Sequence, residues 1–154
     1  MVKKCQLIVF ILCLSIWSNL SAQILHPVKW SYGSMRMGKN EALLFFKATM
    51  DNGWHIYSVN QKDGGPVKTN FSFTPATNYR LIGNIQEPTP LAKFDKSFNM
   101  NVLYFGNSVV FQQKVSFRHI QDNKIIIKGT LNFMVCNDER CLPPEDVKFS
   151  ILLK

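Results

Sequence analysis

Much of the usual apparatus of enzymes is missing from this chain. It has only three histidines, at positions 26, 55 and 119, and their spacing does not complete a tetrahedral zinc site around any cysteine pair. No Gly-x-Ser-x-Gly stretch or comparable nucleophile motif occurs, so hydrolysis by an activated serine has no support. No residue pattern calls for a cofactor. The formal charge is +8, yet the lysines and arginines are scattered, with no basic run and no amphipathic basic helix. That describes a solvated surface with a mild preference for acidic partners, not a nucleic-acid footprint. Beyond the first 22 residues no apolar run approaches membrane-spanning length. A sustained 3.6-residue apolar period is absent as well, which argues against helices.

The N-terminus reads as a secretory signal peptide. Lys3 and Lys4 form a short basic region, Leu7 to Ile16 is almost wholly apolar, and the small residues Ser21 and Ala22 follow. Cleavage after Ala22 is expected, leaving residues 23–154 as one domain large enough to bury its own core. An uncleaved anchor is the alternative. A lipoprotein is disfavoured, because Cys13 follows bulky Leu12 inside the apolar run. Cys5 and Cys13 depart with the signal, so the mature chain keeps Cys136 and Cys141 alone. Outside the cytosol two nearby thiols oxidise to a disulfide.

Strands and turns account for the rest. Val28 to Met37 and Glu41 to Met50 flank Gly38-Lys39-Asn40, a hairpin-like break. Gly53 to Val59 is aromatic and β-branched, Gly64-Gly65-Pro66 makes a turn, and Phe71 and Phe73 alternate onto one face of Thr69 to Thr74. Tyr79 to Gly83 is a short strand, and Gln86 to Met100, with Pro88 and Pro90, reads as a long loop. Val102 to Phe105 and Val109 to Phe117 are expected to form a hairpin around Gly106-Asn107. Lys124 to Val135, entered by a turn at Asp122-Asn123, and Val147 to Leu153 complete the chain. Eight or nine short strands at near-regular spacing indicate an all-β sandwich.

The functional question gathers in FMVCNDERCLPP, Phe133 to Pro144. Cys136 ends a strand, Asn137 to Arg140 are turn formers and charges, and Cys141 precedes Leu142-Pro143-Pro144. Prolines lack N–H donors and fix φ, so the loop cannot extend the β ladder. A rigid, accessible pair at one end of the sandwich is the expected result. As a staple it is modest, since chain entropy assigns about 2 kcal/mol to a closed loop of about six residues. An exposed short bridge is also the more readily reduced kind. On these residues alone, staple and exchange site both remain open.

Three stretches together resemble one family: DNGWHIYSVNQKDGGPVKTNFSF (Asp51 to Phe73), EPTPLAKFDKSFNMNVLYFGNSVVFQQKVSF (Glu87 to Phe117) and KGTLNFMVCNDERCLPPEDVKFSI (Lys128 to Ile151). In order and extent they are similar to the N-terminal periplasmic domain of the DsbD thiol:disulfide interchange proteins, and C-N-D-x-x-C-L-P-P is the most specific part. The resemblance implies an immunoglobulin-like β-sandwich in the periplasm with Cys136 and Cys141 as a redox pair. It implies a thiol–disulfide oxidoreductase activity of the protein-disulfide reductase kind, with a thioredoxin-like or membrane-embedded electron donor and disulfide-containing periplasmic proteins as acceptors. By position Phe98, with Met100 the next candidate, corresponds to an aromatic cap over the disulfide, and His55 and Tyr57 to aromatic residues beside it. Cys141 is implied as the sulfur that forms the mixed disulfide and Cys136 as the one that resolves it. Asp138 and Glu139 disfavour a further negative charge there, with Arg140 partly offsetting them. Better-known members add a membrane-embedded domain and a thioredoxin-like domain, so this chain is expected to be a stand-alone module. The alternative reading is a non-catalytic secreted sandwich whose hairpin disulfide only stiffens a loop. A third possibility is a subunit that docks on a membrane reductase and relays electrons without acting on substrates itself.

Overall fold

A computed structural model describes residues 25–118 and 125–153. The expected signal segment, the turn at Asp122-Asn123 and His119 lie outside these residues. Among those described there is no helix, and eleven strands form three antiparallel sheets.

The first sheet has the order β1-β2-β8-β5, from β1 (Val28–Arg36), β2 (Glu41–Met50), β8 (Ser108–Phe117) and β5 (Tyr79–Gln86). β1 and β2 are the expected hairpin, pairing from Arg36↔Ala42 to Val28↔Met50. Strict alternation shapes β2: Ala42, Leu44, Phe46, Ala48 and Met50 are all buried, as a period of two requires when one face meets a core.

The second sheet is β11-β9-β4, from β11 (Glu145–Leu152), β9 (Ile126–Phe133) and β4 (Asn70–Phe73). Its inner face lies on the first sheet through aromatic rings. Phe46 meets Phe149 at 4.8 Å and Phe71 at 4.9 Å, and Trp30 meets Phe133 at 5.4 Å. Such tilted and edge-to-face pairs suit the quadrupole of aromatic rings. Gly129 permits this closeness, because a Cβ there would collide with the Phe149 ring on one side and the Ser72 carbonyl on the other.

The third sheet, β10-β3-β7-β6, carries the cysteine pair. It comprises β10 (Val135–Cys136), β3 (His55–Tyr57), β7 (Met100–Gly106) and β6 (Leu91–Asp95). Ile56, Phe105 and Val135 join the main core. The opposite face holds a smaller cluster of Tyr57, Val102 and Cys136, against which Phe98, Met100, Tyr104 and Met134 pack.

Two expectations fail here. The stretch from Gln86 to Met100 is not all loop: β5 runs on to Gln86, and Leu91–Asp95 forms an edge strand paired with β7 from Leu91↔Tyr104 to Asp95↔Met100. Pro88 and Pro90 precede that strand rather than interrupt it. The strands around Gly106-Asn107 are not a hairpin either. β7 pairs with β3 and β6, whereas β8 pairs with β2 and β5. Asn107 adopts a φ of 58° and its carbonyl accepts from the Met50 N–H at 2.7 Å, so the chain crosses between sheets at this point. With Lys124 to Val135 further divided into β9 and β10, the count rises from eight or nine to eleven.

Candidate functional site

Cys136 and Cys141 are bonded to each other, with Cα atoms 4.0 Å apart. The four residues between them are organised by Asn137. Its Oδ1 accepts from the Glu139 and Arg140 N–H groups at 2.9 and 2.8 Å, and its N–H donates to the Arg140 carbonyl at 2.9 Å. An Asn side chain satisfying N–H groups two and three residues ahead is the usual way such a turn is held. Leu142 N–H then donates to the Val135 carbonyl at 2.9 Å, so the chain leaves the ring back along β10.

The two sulfurs live in different surroundings. Cys136 is 2% exposed and belongs to the small cluster with Tyr57 and Val102. Cys141 is solvent-exposed. Alternation explains the first: Val135 faces the main core, so Cys136 must face the other side of the sheet.

Register assembles the rest of that face. Cys136 lies opposite His55, and His55 opposite Gly106. Next along, Tyr57 lies opposite Tyr104 and Tyr104 opposite Leu91, followed by Val102 with Lys93 and Met100 with Asp95. The alternation along Trp54 to Tyr57 thus sends Ile56 to the core and His55 and Tyr57 to the disulfide face. Neither is left on a bare outer surface, since both are buried.

The cover is the β6–β7 hairpin. At its tip Asp95 Oδ1 accepts from the Ser97 N–H at 2.8 Å, and Asn99 turns the chain with a φ of 52°. Residues 93–98 of this hairpin and residues 136–141 of the cysteine loop form the two walls of one cleft. Phe98, half-buried, lies in the first wall and packs on the cluster. Met100, also half-buried, packs on the same cluster; a Cβ on Gly65 would lie 2.6 Å from its Sδ, so the Gly64-Gly65 turn is seated against it. Lys93, which sequence reasoning did not single out, spans the cleft. Its Nζ is 3.6 Å from Asp138 Oδ1 and 5.1 Å from the Tyr104 ring centroid. The signal that could have found it is its alternation with Leu91 and Asp95, had that segment been read as a strand.

Burial in this pocket keeps its imidazole and its phenol neutral. Burial, with Lys93 adding to it, holds the His55 imidazole down at about 4, against smaller opposing effects of Asp138 and Asp95. Burial and then the Asp95 charge push the Tyr57 hydroxyl up to about 12. His55 Nε2 and Tyr57 Oη are both buried without a hydrogen-bond partner.

An immunoglobulin-like sandwich with a half-buried, half-exposed cysteine bridge under an edge hairpin defines a class of disulfide-carrying β domains. The family of the thiol:disulfide interchange protein DsbD, N-terminal, matches residues 22–153. The chain belongs to that family, and among the described residues it carries one cysteine pair, the bonded Cys136 and Cys141. Two solved structures share the fold. The N-terminal periplasmic domain of ScsB from Proteus mirabilis superposes with a TM-score of 0.54 at 17% identity, over 80% of this chain and 44% of that one. The chain therefore spans less than half the length of that domain. The Neisseria meningitidis DsbD N-terminal domain in its reduced form gives 0.52 at 16% identity, over 87% of this chain and 94% of that one. No curated protein matches the chain.

Proposed function

We propose that the protein is an exported, periplasmic module of thiol–disulfide exchange, released from its signal segment after Ala22. It passes electrons from a thioredoxin-like or membrane-embedded donor to exported proteins that carry disulfides. The observation that carries this reading is the asymmetry of the bridge: an exposed Cys141 joined to a buried Cys136 in a domain of the interchange family.

Exchange proceeds by thiolate attack on a disulfide sulfur and favours the sulfur that can be reached. A donor thiolate attacks Cys141 Sγ, a donor–Cys141 disulfide forms, and the Cys136–Cys141 bond breaks with its electron pair on Cys136. The donor's second thiol then attacks its own sulfur in that mixed disulfide and frees Cys141, leaving the domain reduced by two electrons and the donor oxidised. Toward an acceptor the steps run in the other sense. Cys141 attacks the acceptor's disulfide, Cys136 attacks Cys141 Sγ, and the acceptor leaves as a dithiol. Phe98 is the cap in this reading, its ring in the β6–β7 wall narrowing the approach of small thiols to the bridge, and Met100 packs on the same cluster. His55 and Tyr57 line the pocket of the buried sulfur.

Thiol trapping of the domain across a series of glutathione ratios tests the proposal by giving the reduction potential of the bridge. A potential well above about −300 mV, with rapid exchange to a thioredoxin-like donor, is the expected result. A bridge that the glutathione pool cannot open and that ignores such a donor would make the pair a staple and the domain a binding module.

A further inference from the structure

We propose that His55 is the proton partner of Cys136: it hydrogen-bonds to that sulfur only while the bridge is open, and it holds or hands over the proton that exchange at that sulfur requires. The inference rests on the exchange reading above. Four observations converge on it. The β3–β10 pairing sets His55 directly opposite Cys136, so both side chains leave the same face, with Cβ atoms on the order of 5 Å apart. His55 is 5% exposed, and its ring is fixed between Tyr57 and Tyr104, edge-to-face at 5.4 and 5.2 Å. Its Nε2 is buried without a partner, a costly state for a ring nitrogen that a nearby group should relieve. The closed bridge has no proton to offer and its sulfur is a weak acceptor, whereas a thiol can donate and a thiolate accepts strongly.

Proton accounting gives the imidazole its task. When Cys141 is attacked, Cys136 departs as a thiolate from a buried position packed with Tyr57 and Val102. A buried thiolate is disfavoured by desolvation, and an imidazole N–H offsets this by donating to it or by surrendering its proton. In the resolving sense Cys136 begins as a thiol and must lose its proton before it attacks Cys141 Sγ. A bare ring nitrogen takes that proton up. In the closed state burial and Lys93 keep the ring neutral, the form in which it has one N–H and one free acceptor. Once a thiolate forms beside it, the negative charge favours protonation of the ring. Around this pair Lys93 and Asp95 stand on β6 and Asp138 on the cysteine loop, with the Tyr57 and Tyr104 rings against the imidazole from β3 and β7. Lys93 opposes protonation of the ring and the two aspartates favour it.

Nitrogen NMR of the imidazole in the whole protein, oxidised and then reduced with excess dithiothreitol, tests this without any substitution. The expected result is a shift of the Nε2 resonance on reduction, titrating together with the Cys136 thiol. Imidazole nitrogens that are the same in both redox forms would overturn the assignment. A second measurement uses His55→Phe. Its apparent Cys136 thiol pKa should rise by about one unit or more, and resolution of a glutathione adduct at Cys141 should slow about tenfold or more near neutrality with a changed pH–rate profile. Alkylation of Cys141 should keep its rate. An unaltered pH–rate profile in a folded variant would also sink the idea. If glutathione never opens the bridge, the exchange reading fails by itself, while the NMR comparison on the chemically reduced protein still decides the role of His55.

Discussion

Acidification should destabilise this domain through one buried side chain. In an unfolded chain the His55 imidazole takes a proton near 6.5, whereas the folded pocket lowers this to about 4. The folded state therefore binds fewer protons between these values, and stability falls as pH drops through that window. Well above 6.5 the ring is neutral in both states and its titration contributes nothing to the pH dependence. A shift of roughly two and a half units at 1.36 kcal/mol each comes to about 3 kcal/mol, lost progressively down to pH 4. That is a large part of the roughly 5–15 kcal/mol that holds a domain of this kind together. Carboxylates titrate in the lower part of the window, so the raw pH dependence is not diagnostic. The decisive quantity is the difference in urea-unfolding free energy between the native protein and His55→Phe, followed from pH 7 to pH 4. It should move in favour of the variant by about 3 kcal/mol as the pH falls. A difference that stays constant would mean that the imidazole is protonated as easily in the fold as in water, and the burial argument would be refuted.

Reduction of the Cys136–Cys141 bridge should lower stability by only about 2 kcal/mol, leaving one cooperative unfolding transition. Collapse of the fold on reduction would show that the ring holds more than its own loop. Phe98→Ala should speed reduction of the bridge by small thiols several-fold, at a stability cost of about 1–2 kcal/mol for the half-buried ring; an unchanged rate with lost stability would make Phe98 mere packing. Gly129→Ala should cost about 1–3 kcal/mol or more, since its Cβ collides with the Phe149 ring and the Ser72 backbone at once. A variant as stable as the parent would show that β4 and β11 can part there freely.

Much of the sandwich was legible in the sequence because its central strands carry their own signals. β2 alternates without interruption, and Gly38-Lys39-Asn40 turns the chain where β1 meets it. Gly106-Asn107 misled because turn chemistry is local. The same two residues can close a hairpin or carry a chain from one sheet to another, and only the partners of β7 and β8 distinguish these. β6 was missed because an edge strand pairs on one side only and needs less β propensity than a central one. Its Leu91, Ala92 and Phe94 stay exposed, so burial left little periodicity to read. That miss carried over to the site. The positions of His55 and Tyr57 beside the cysteines could be read from family resemblance and alternation, but not their burial, because the cover over them is the hairpin that β6 begins.

The smallness of the cysteine ring has a consequence of its own. The bridge spans a sequence separation of only 5, and the contacts between the sheets do not run through it. Viewed as a graph of long-range constraints, the molecule is the same object whether the bridge is open or closed. In the proposed exchange role, opening and closing the bridge alters one small cycle at the rim and costs the domain no more than the stability of that loop.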